Sequence, residues 1–311
     1  MACLTLFLCV FLVKSLLENY LMWFFKKHSL VLQSNSKINL SLRVLDRKED
    51  SYHNLEMVTL PLALHDVIEM SLEKNNYDTY ITCDDIGLSN MHHNLCTKAV
   101  DAMRRAFGFK DNFNISIHKE IPFAAGLGGG SSNAAAVMKG IVSLLDIKTD
   151  AGTLDKIGTS IGADVPFFLH GKSALVEGIG EVLTPIKVKK SYCVLLVKPK
   201  EGLSTKAVFE KCDAFVRTPI ETKNVLTALE NADDGLLETS IGNDLYEPAC
   251  SILPKVKDIV DTLKAKGLPI SSMTGSGSSC FAISDDVRKL KEVARYFLNQ
   301  GCFATVTKTI I

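Results

Sequence analysis

Residues 121–133 read IPFAAGLGGGSSN, and the residue types gathered there suit a phosphate. Gly126, Gly128, Gly129 and Gly130 precede Ser131, Ser132 and Asn133, and then the helix-forming run AAAVMKGIVSLL. Glycine has no β-carbon, so its backbone takes positive φ and approaches other groups closely. A helix beginning directly afterwards offers unpaired N–H groups and the positive end of its dipole. Together these make an anion socket, with a nucleoside triphosphate the ligand most suggested. The spacing excludes two other sockets. A Walker A loop needs GxxxxGK[ST], and no lysine follows Gly130 before the helix starts. A dinucleotide fingerprint opens the first βαβ unit, whereas this loop lies more than a hundred residues into the chain. The plain alternative is a ligand-free glycine turn, although three consecutive glycines are entropically costly in a mere connector.

Three further segments carry residues able to do chemistry. SNSKINL at 34–40 places Lys37 and Asn39 two residues apart, on one face of a strand. GADVPFF at 162–168 sets Asp164 among apolar neighbours, where a carboxylate is poorly solvated unless it is paired or used. MTGSGSSCFAI at 273–283 is a second glycine–serine turn before a strand, suited to the floor of a pocket. Each also has a plain reading: a strand-edge lysine, a helix cap, a simple turn.

The elements that must position these residues are strands and helices in mixed order. LVLQSNSKINLSLRVL alternates apolar and polar as a half-buried strand does, and EMVTLPLALHDVIEMSL reads as a further strand pair in which Pro61 limits how central the segment can be. ITCDD, NFNISIHKEI, SALVEGIGEVLTPI, YCVLLVKP, CFAIS and CFATVTKTI read as strands. Helical spacing marks NLCTKAVDAMRRAFGF, the run after the glycine loop, TLDKIGTSIG, LSTKAVFEKC, NVLTALENA, NDLYEPACSILPKVKDIVDTLKAKG and DVRKLKEVARYFLNQ. Without strict βαβ alternation the fold class is α+β. The division between domains is expected near 170–190.

Composition narrows the function classes. With 35 basic and 35 acidic residues in 311, no global field points to nucleic acid or an anionic membrane. Cys3, Cys9, Cys83, Cys96, Cys193, Cys212, Cys250, Cys280 and Cys302 are dispersed, with no CxxC and no zinc spacing. That usage predicts reduced thiols and a cytoplasmic protein. Cys3 to Val13 is nearly all apolar, but Lys14 and Glu18 interrupt too early for a spanning helix, and the basic region and cleavage site of a signal peptide are missing. Residues 1–28 are therefore expected to lie outside the fold without stable membrane insertion, with Met22 as a plausible start.

From about Ser34 to the C-terminus the chain resembles the GHMP kinases, and within them the 4-diphosphocytidyl-2-C-methylerythritol kinases of non-mevalonate isoprenoid synthesis. The resemblance is carried by SNSKINLSLRVLDRKEDSYHNL, PFAAGLGGGSSNAA, IGADVPFFLHGKSALVEGIGE, PKEGLSTKAVFE, NDLYEPA and MTGSGSSCFAI, in that order. It implies a two-domain architecture: a ribosomal-protein-S5-like ATP-binding domain over 29–175, a ferredoxin-like substrate domain over 176–311, and the active site between them. It implies phosphoryl transfer from ATP, with Mg²⁺, to the 2-hydroxyl of a cytidine-diphosphate-linked methylerythritol, by a monomer or homodimer whose partner is a small molecule.

Carried onto matching residues, the resemblance gives Asp164 and Lys37 the catalytic roles, Asp164 taking or orienting the hydroxyl proton and Lys37 offsetting charge on the transferring group. Contact between the two would keep Asp164 anionic. Asn39 would sit beside them. Tyr52, His53, Thr205 and Phe209 would hold the substrate, His53 bonding the cytosine edge as a neutral tautomer and Phe209 sandwiching the cytosine against Tyr52. Pro122, Gly126, Leu127, Gly128, Gly129, Gly130, Ser131, Ser132 and Asn133 would bind ATP, with Asn94 and Lys119 near the adenine. No carboxylate cage is visible for the metal, which would be held by phosphates, water and a loop serine. Ser36, Ser51 and Ser278 depart from the usual alanine, glycine and proline; a serine at a positive-φ position before Tyr52 would cost about 1 kcal/mol. Homoserine- and mevalonate-type kinases are the neighbouring readings; a non-catalytic binding protein of the same fold and a membrane-anchored protein, the latter resting only on residues 3–25, are the others.

Overall fold

The computed structural model describes residues 28–47, 53–73, 78–84, 95–215 and 219–311. Most of the N-terminal segment, Ser51, Tyr52 and Asn94 lie outside the described residues. The framework is a long antiparallel ribbon of β1 (Ser29–Arg47) and β2 (His53–Leu72). Where a strand pair is expected, β2 is a single strand of 20 residues. The reason lies on its outer edge. Leu55–Thr59 pairs with β5 (Ala174–Gly178), while Val67–Leu72 pairs with β4 (Phe113–His118). Pro61 falls in the gap between those partners and opposite a register shift of β1 between Asn35 and Lys37, so its missing N–H interrupts no outer ladder.

β3 (Tyr80–Cys83) adds parallel to β4, and β6 (Val182–Pro185) adds to β5. On the opposite edge, β8 (Gly242–Asn243) pairs with β1 at Ser41 and Leu42. One face of this sheet is covered by α1 (Leu95–Phe107), α2 (Gly129–Leu144), α3 (Ala151–Ile161) and α4 (Val165–His170). Ala134, Val137, Met138 and Ile141 of α2 are fully buried. Each large side chain among them contributes about 1.5–3 kcal/mol by leaving water.

The second sheet is antiparallel throughout, in the order β11 (Phe303–Lys308), β7 (Cys193–Lys198), β10 (Cys280–Ile283), β9 (Ser271–Met273). With α9 (Lys255–Ala265) and α10 (Val287–Asn299) it forms the βαββαβ ferredoxin-like arrangement that the resemblance implies. Between β7 and α9 lie α5 (Thr205–Cys212), α6 (Thr222–Asn231), α7 (Asp234–Ser240) and α8 (Tyr246–Ile252). The expected division at 175/176 falls inside β5, whose partners β2 and β6 belong to the first sheet; the second sheet starts at Cys193.

Two β1 irregularities govern the site. Before the shift between Asn39 and Ser41, Ile38 and Leu40 pack into one apolar cluster; after it, Leu42 and Val44 pack into the other. An inserted residue reverses the alternation. Lys37, Asn39 and Leu42 therefore open onto the same cavity despite their parity.

Candidate active site

A cleft of about 1020 Å³ lies between the two halves of the chain. Its walls come from β1, the 119–131 segment, Asp164 before α4, the β5–β6 turn, α5 and the second glycine–serine turn. Lys37, Asn39, Asp164, the glycine loop, Lys119, His53, Thr205 and Phe209 all line it. These residues span 172 positions of sequence, from Lys37 to Phe209.

Lys37 is only 4% exposed, and its Nζ donates to Asn39 Oδ1 at 2.6 Å. Asn39 Nδ2 donates to Thr59 Oγ1 at 2.8 Å, which orients the amide oxygen toward the lysine. Burial pushes the Lys37 pKa down, and the charge of Asp164 works against that shift. The contact pair expected between Lys37 and Asp164 is replaced by this hold from Asn39, and the carboxylate acts on the ammonium through the cleft. Asp164 precedes α4 at the cap position, yet its side chain makes no capping bond. A helix cap is thus not its role here, and its carboxylate remains available to the cleft.

α2 starts at Gly129, inside the glycine run rather than after the serines. Gly128, at φ 73°, caps it without any side-chain bond. A β-carbon on Gly128 would sit 2.6 Å from the Phe168 ring and 3.2 Å from Lys37 Cγ. Helix geometry leaves the N–H groups of Gly129, Gly130 and Ser131 without intrahelical acceptors, and all three residues line the cleft. Ser132 differs: its N–H already bonds Gly128 O at 2.9 Å. Ser34 Oγ lies 2.8 Å from Ser132 Oγ and 2.6 Å from Asn133 Oδ1, all buried. The Ser132 and Asn133 side chains thus fasten α2 to β1, away from the cavity. Lys37 N–H donates to Leu127 O at 3.0 Å, a second fastening of loop to strand.

Lys119 reaches the cleft paired with Asp66, which is fully buried. Asp66 Oδ1 also accepts from the N–H groups of Glu120 and Ile121 at 2.9 and 2.8 Å. Sequence reading passed over Asp66, although a carboxylate inside an apolar strand is itself a signal of specific pairing. It also gave no role to Asn243, whose Nδ2 donates to the carbonyls of Met273 and Gly275 at 3.0 and 2.9 Å and shapes the second turn. Thr274 Oγ1 accepts from Asn39 N–H at 2.8 Å, and Thr205 Oγ1 lies 2.9 Å from Ser276 Oγ. At the far end His53 stacks on Phe209, ring centres 5.7 Å apart at 25°. Among the described residues no three His, Cys, Asp or Glu side chains form a metal cluster.

Comparison with known proteins agrees with this geometry. The GHMP kinases N terminal domain pattern matches residues 94–172, and the GHMP kinases C terminal pattern matches residues 225–301. A 4-diphosphocytidyl-2-C-methyl-D-erythritol kinase of Clostridium perfringens is 33% identical over 282 residues, 90% of this chain and 98% of the relative. One from Acetivibrio thermocellus is 35% identical over 284 residues, 91% and 99% of the two chains. The chain belongs to the 4-diphosphocytidyl-2-C-methyl-D-erythritol kinase family. A crystal structure of a 4-(cytidine 5'-diphospho)-2C-methyl-D-erythritol kinase superposes with a TM-score of 0.75 at 28% identity, covering 90% of this chain and 99% of the other. A homoserine kinase of Cytophaga hutchinsonii, 18% identical over 91% of this chain and 95% of its own, shares the fold with a TM-score of 0.70. The 4-diphosphocytidyl-2-C-methyl-D-erythritol kinase family is a kinase family, and its GHMP membership implies ATP as phosphoryl donor.

Proposed function

We propose that this chain transfers the γ-phosphoryl group of ATP to the 2-hydroxyl of 4-(cytidine 5'-diphospho)-2-C-methyl-D-erythritol, giving the 2-phosphate and ADP, as a step of isopentenyl diphosphate synthesis. The observation that carries this reading is one cleft lined by a helix start that no side chain caps, a buried lysine, a cap-position carboxylate that makes no capping bond and a stacked aromatic end.

Phosphoryl transfer asks a protein mainly for alignment and charge stabilisation. The first-turn N–H groups of α2, with the dipole behind them, suit the triphosphate. Lys37, desolvated and held by Asn39, would offset charge building on the transferring group. Asp164 would accept or orient the 2-hydroxyl proton at its carboxylate. His53, Phe209 and Thr205 would seat the cytidine end, where a wrong base leaves polar groups unpaired. Tyr52 and Asn94 keep the roles the family pattern gives them. Mg²⁺ would be held by the phosphates, water and a loop serine, for which Ser131 lines the cleft at the first turn of α2. When bound it would neutralise phosphate charge.

The cytoplasm is the proposed compartment: the described cysteines are free thiols. No described helix is long and apolar enough to cross a membrane. The deciding experiment measures ADP release by the purified chain with the cytidylated methylerythritol, mevalonate and homoserine in parallel. Turnover of the first alone is the expected result. Turnover of either other alcohol, without the first, overturns the reading.

A further inference from the structure

His53 is the buried residue at the aromatic end of the cleft, 7% exposed, and it is tied down on two sides. Its ring lies against Phe209, and its Nε2 is 2.9 Å from Asp213 Oδ1. Asp213 closes the C-terminal end of α5 and also lines the cleft. Nδ1 of His53 has no partner among the described residues.

We propose that Asp213 is a positioning residue that sets the base specificity of the site by fixing the His53 tautomer. A carboxylate only accepts hydrogen bonds, so the imidazole proton resides on Nε2. Nδ1 is then left as a lone pair, the one polar side-chain atom His53 has to offer a ligand. A lone pair accepts from an exocyclic amino group and repels an oxo group in the same place. The arrangement therefore selects a 4-amino pyrimidine over a 4-oxo pyrimidine, cytosine over uracil. The same logic governs metal-bound histidines, where the partner of one ring nitrogen sets the state of the other. Phe209 keeps the ring plane fixed while Asp213 fixes the proton. The inference rests on the proposed function, because it assumes that the cytidine end of the substrate meets His53.

Two measurements on the full chain test it. The first is ¹⁵N imidazole NMR of the ligand-free protein, which needs no substrate. Wild-type His53 should carry its proton on Nε2, and Asp213→Asn should move it to Nδ1 or mix the two states, because the amide can donate to Nε2. The second is kcat/KM for the cytidine-diphosphate-linked substrate against its uridine counterpart. The preference should fall by at least about tenfold in Asp213→Asn, chiefly through KM for the cytidine compound. An Nδ1-protonated or doubly protonated His53 in the wild type, or a preference unchanged by Asp213→Asn, overturns the proposal. Absence of any wild-type turnover with the cytidine compound instead defeats the proposed function, and the NMR result stands apart from it.

Discussion

Gly126 and Gly275, 149 positions apart in sequence, pack backbone against backbone: a β-carbon on Gly275 would come within 2.8 Å of the Gly126 carbonyl oxygen. The glycine loop of the first half and the serine turn of the second thus share one seam, with Ser279 N–H donating to Ala125 O at 3.2 Å across it. The cleft has its shape because neither loop carries a side chain at the seam.

Gly275→Ala should therefore lower stability by about 3 kcal/mol, since backbone must shift and Gly275 sits at φ 58°. Gly108→Ala is the matched control: its φ is 70°, but nothing lies within 4 Å of the added carbon. That variant should lose only about 1 kcal/mol, from the left-handed conformation itself. Urea unfolding of the two variants separates crowding from backbone strain.

Lys37→Met should abolish turnover yet raise the thermal midpoint of the ligand-free protein, by about 1 kcal/mol in stability once the lost bond to Asn39 Oδ1 is set against the relieved desolvation. Among the described residues the buried ammonium has no contact carboxylate, and burial holds its pKa below the ordinary 10.5. The unfolded chain binds that proton more tightly than the native one. The resulting cost is complete below the depressed native value and fades as pH climbs from it toward 10.5. The advantage of Lys37→Met should accordingly shrink as melting is repeated at rising alkaline pH.

Asp164→Asn should cut kcat by about 10²–10⁴-fold, the usual span for a positioned proton acceptor, while nucleotide affinity stays within about threefold. The carboxylate makes no capping bond, so α4 should keep its helicity. Steady-state kinetics beside nucleotide titration distinguishes this from general loss of structure.

Asp66→Asn should destabilise the chain by about 3 kcal/mol, because it strips a largely buried cation of its partner. In the double variant with Lys119→Met part of that loss should return, leaving the difference between a charged and a neutral acceptor for the Glu120 and Ile121 N–H groups, both of which bond Oδ1. Chemical denaturation of both variants measures the difference.

Residue spacing made several site features legible. Lys37 and Asn39 share a face as their two-residue interval requires, and the amphipathic runs became the helices that flank the sheet. What stayed hidden depends on partners far away in sequence. Asp66 meets Lys119 across 53 positions and Asp213 meets His53 across 160, intervals that no local period encodes. The continuity of β2 through Pro61 depends on where β4 and β5 end, which is likewise a tertiary matter. The early start of α2 escaped because glycine disfavours helix interiors. At a first turn pressed against Ile121 and Lys119 that preference yields to lack of room.

The bonds from Ser34 to Ser132 and Asn133, and from Lys37 to Leu127, give the phosphate end of the cleft the mechanical character of an anvil. Lysine and helix start are thereby tied to the two longest of the described strands. Any opening and closing in a catalytic cycle would fall to the opposite wall, where α5 carries Thr205 and Phe209, ends at Asp213, and meets the rest of the cleft through the Ser276 and His53 contacts. The chain divides labour accordingly: one side never has to relearn where the phosphate belongs, and the other is at liberty to admit and discharge the alcohol.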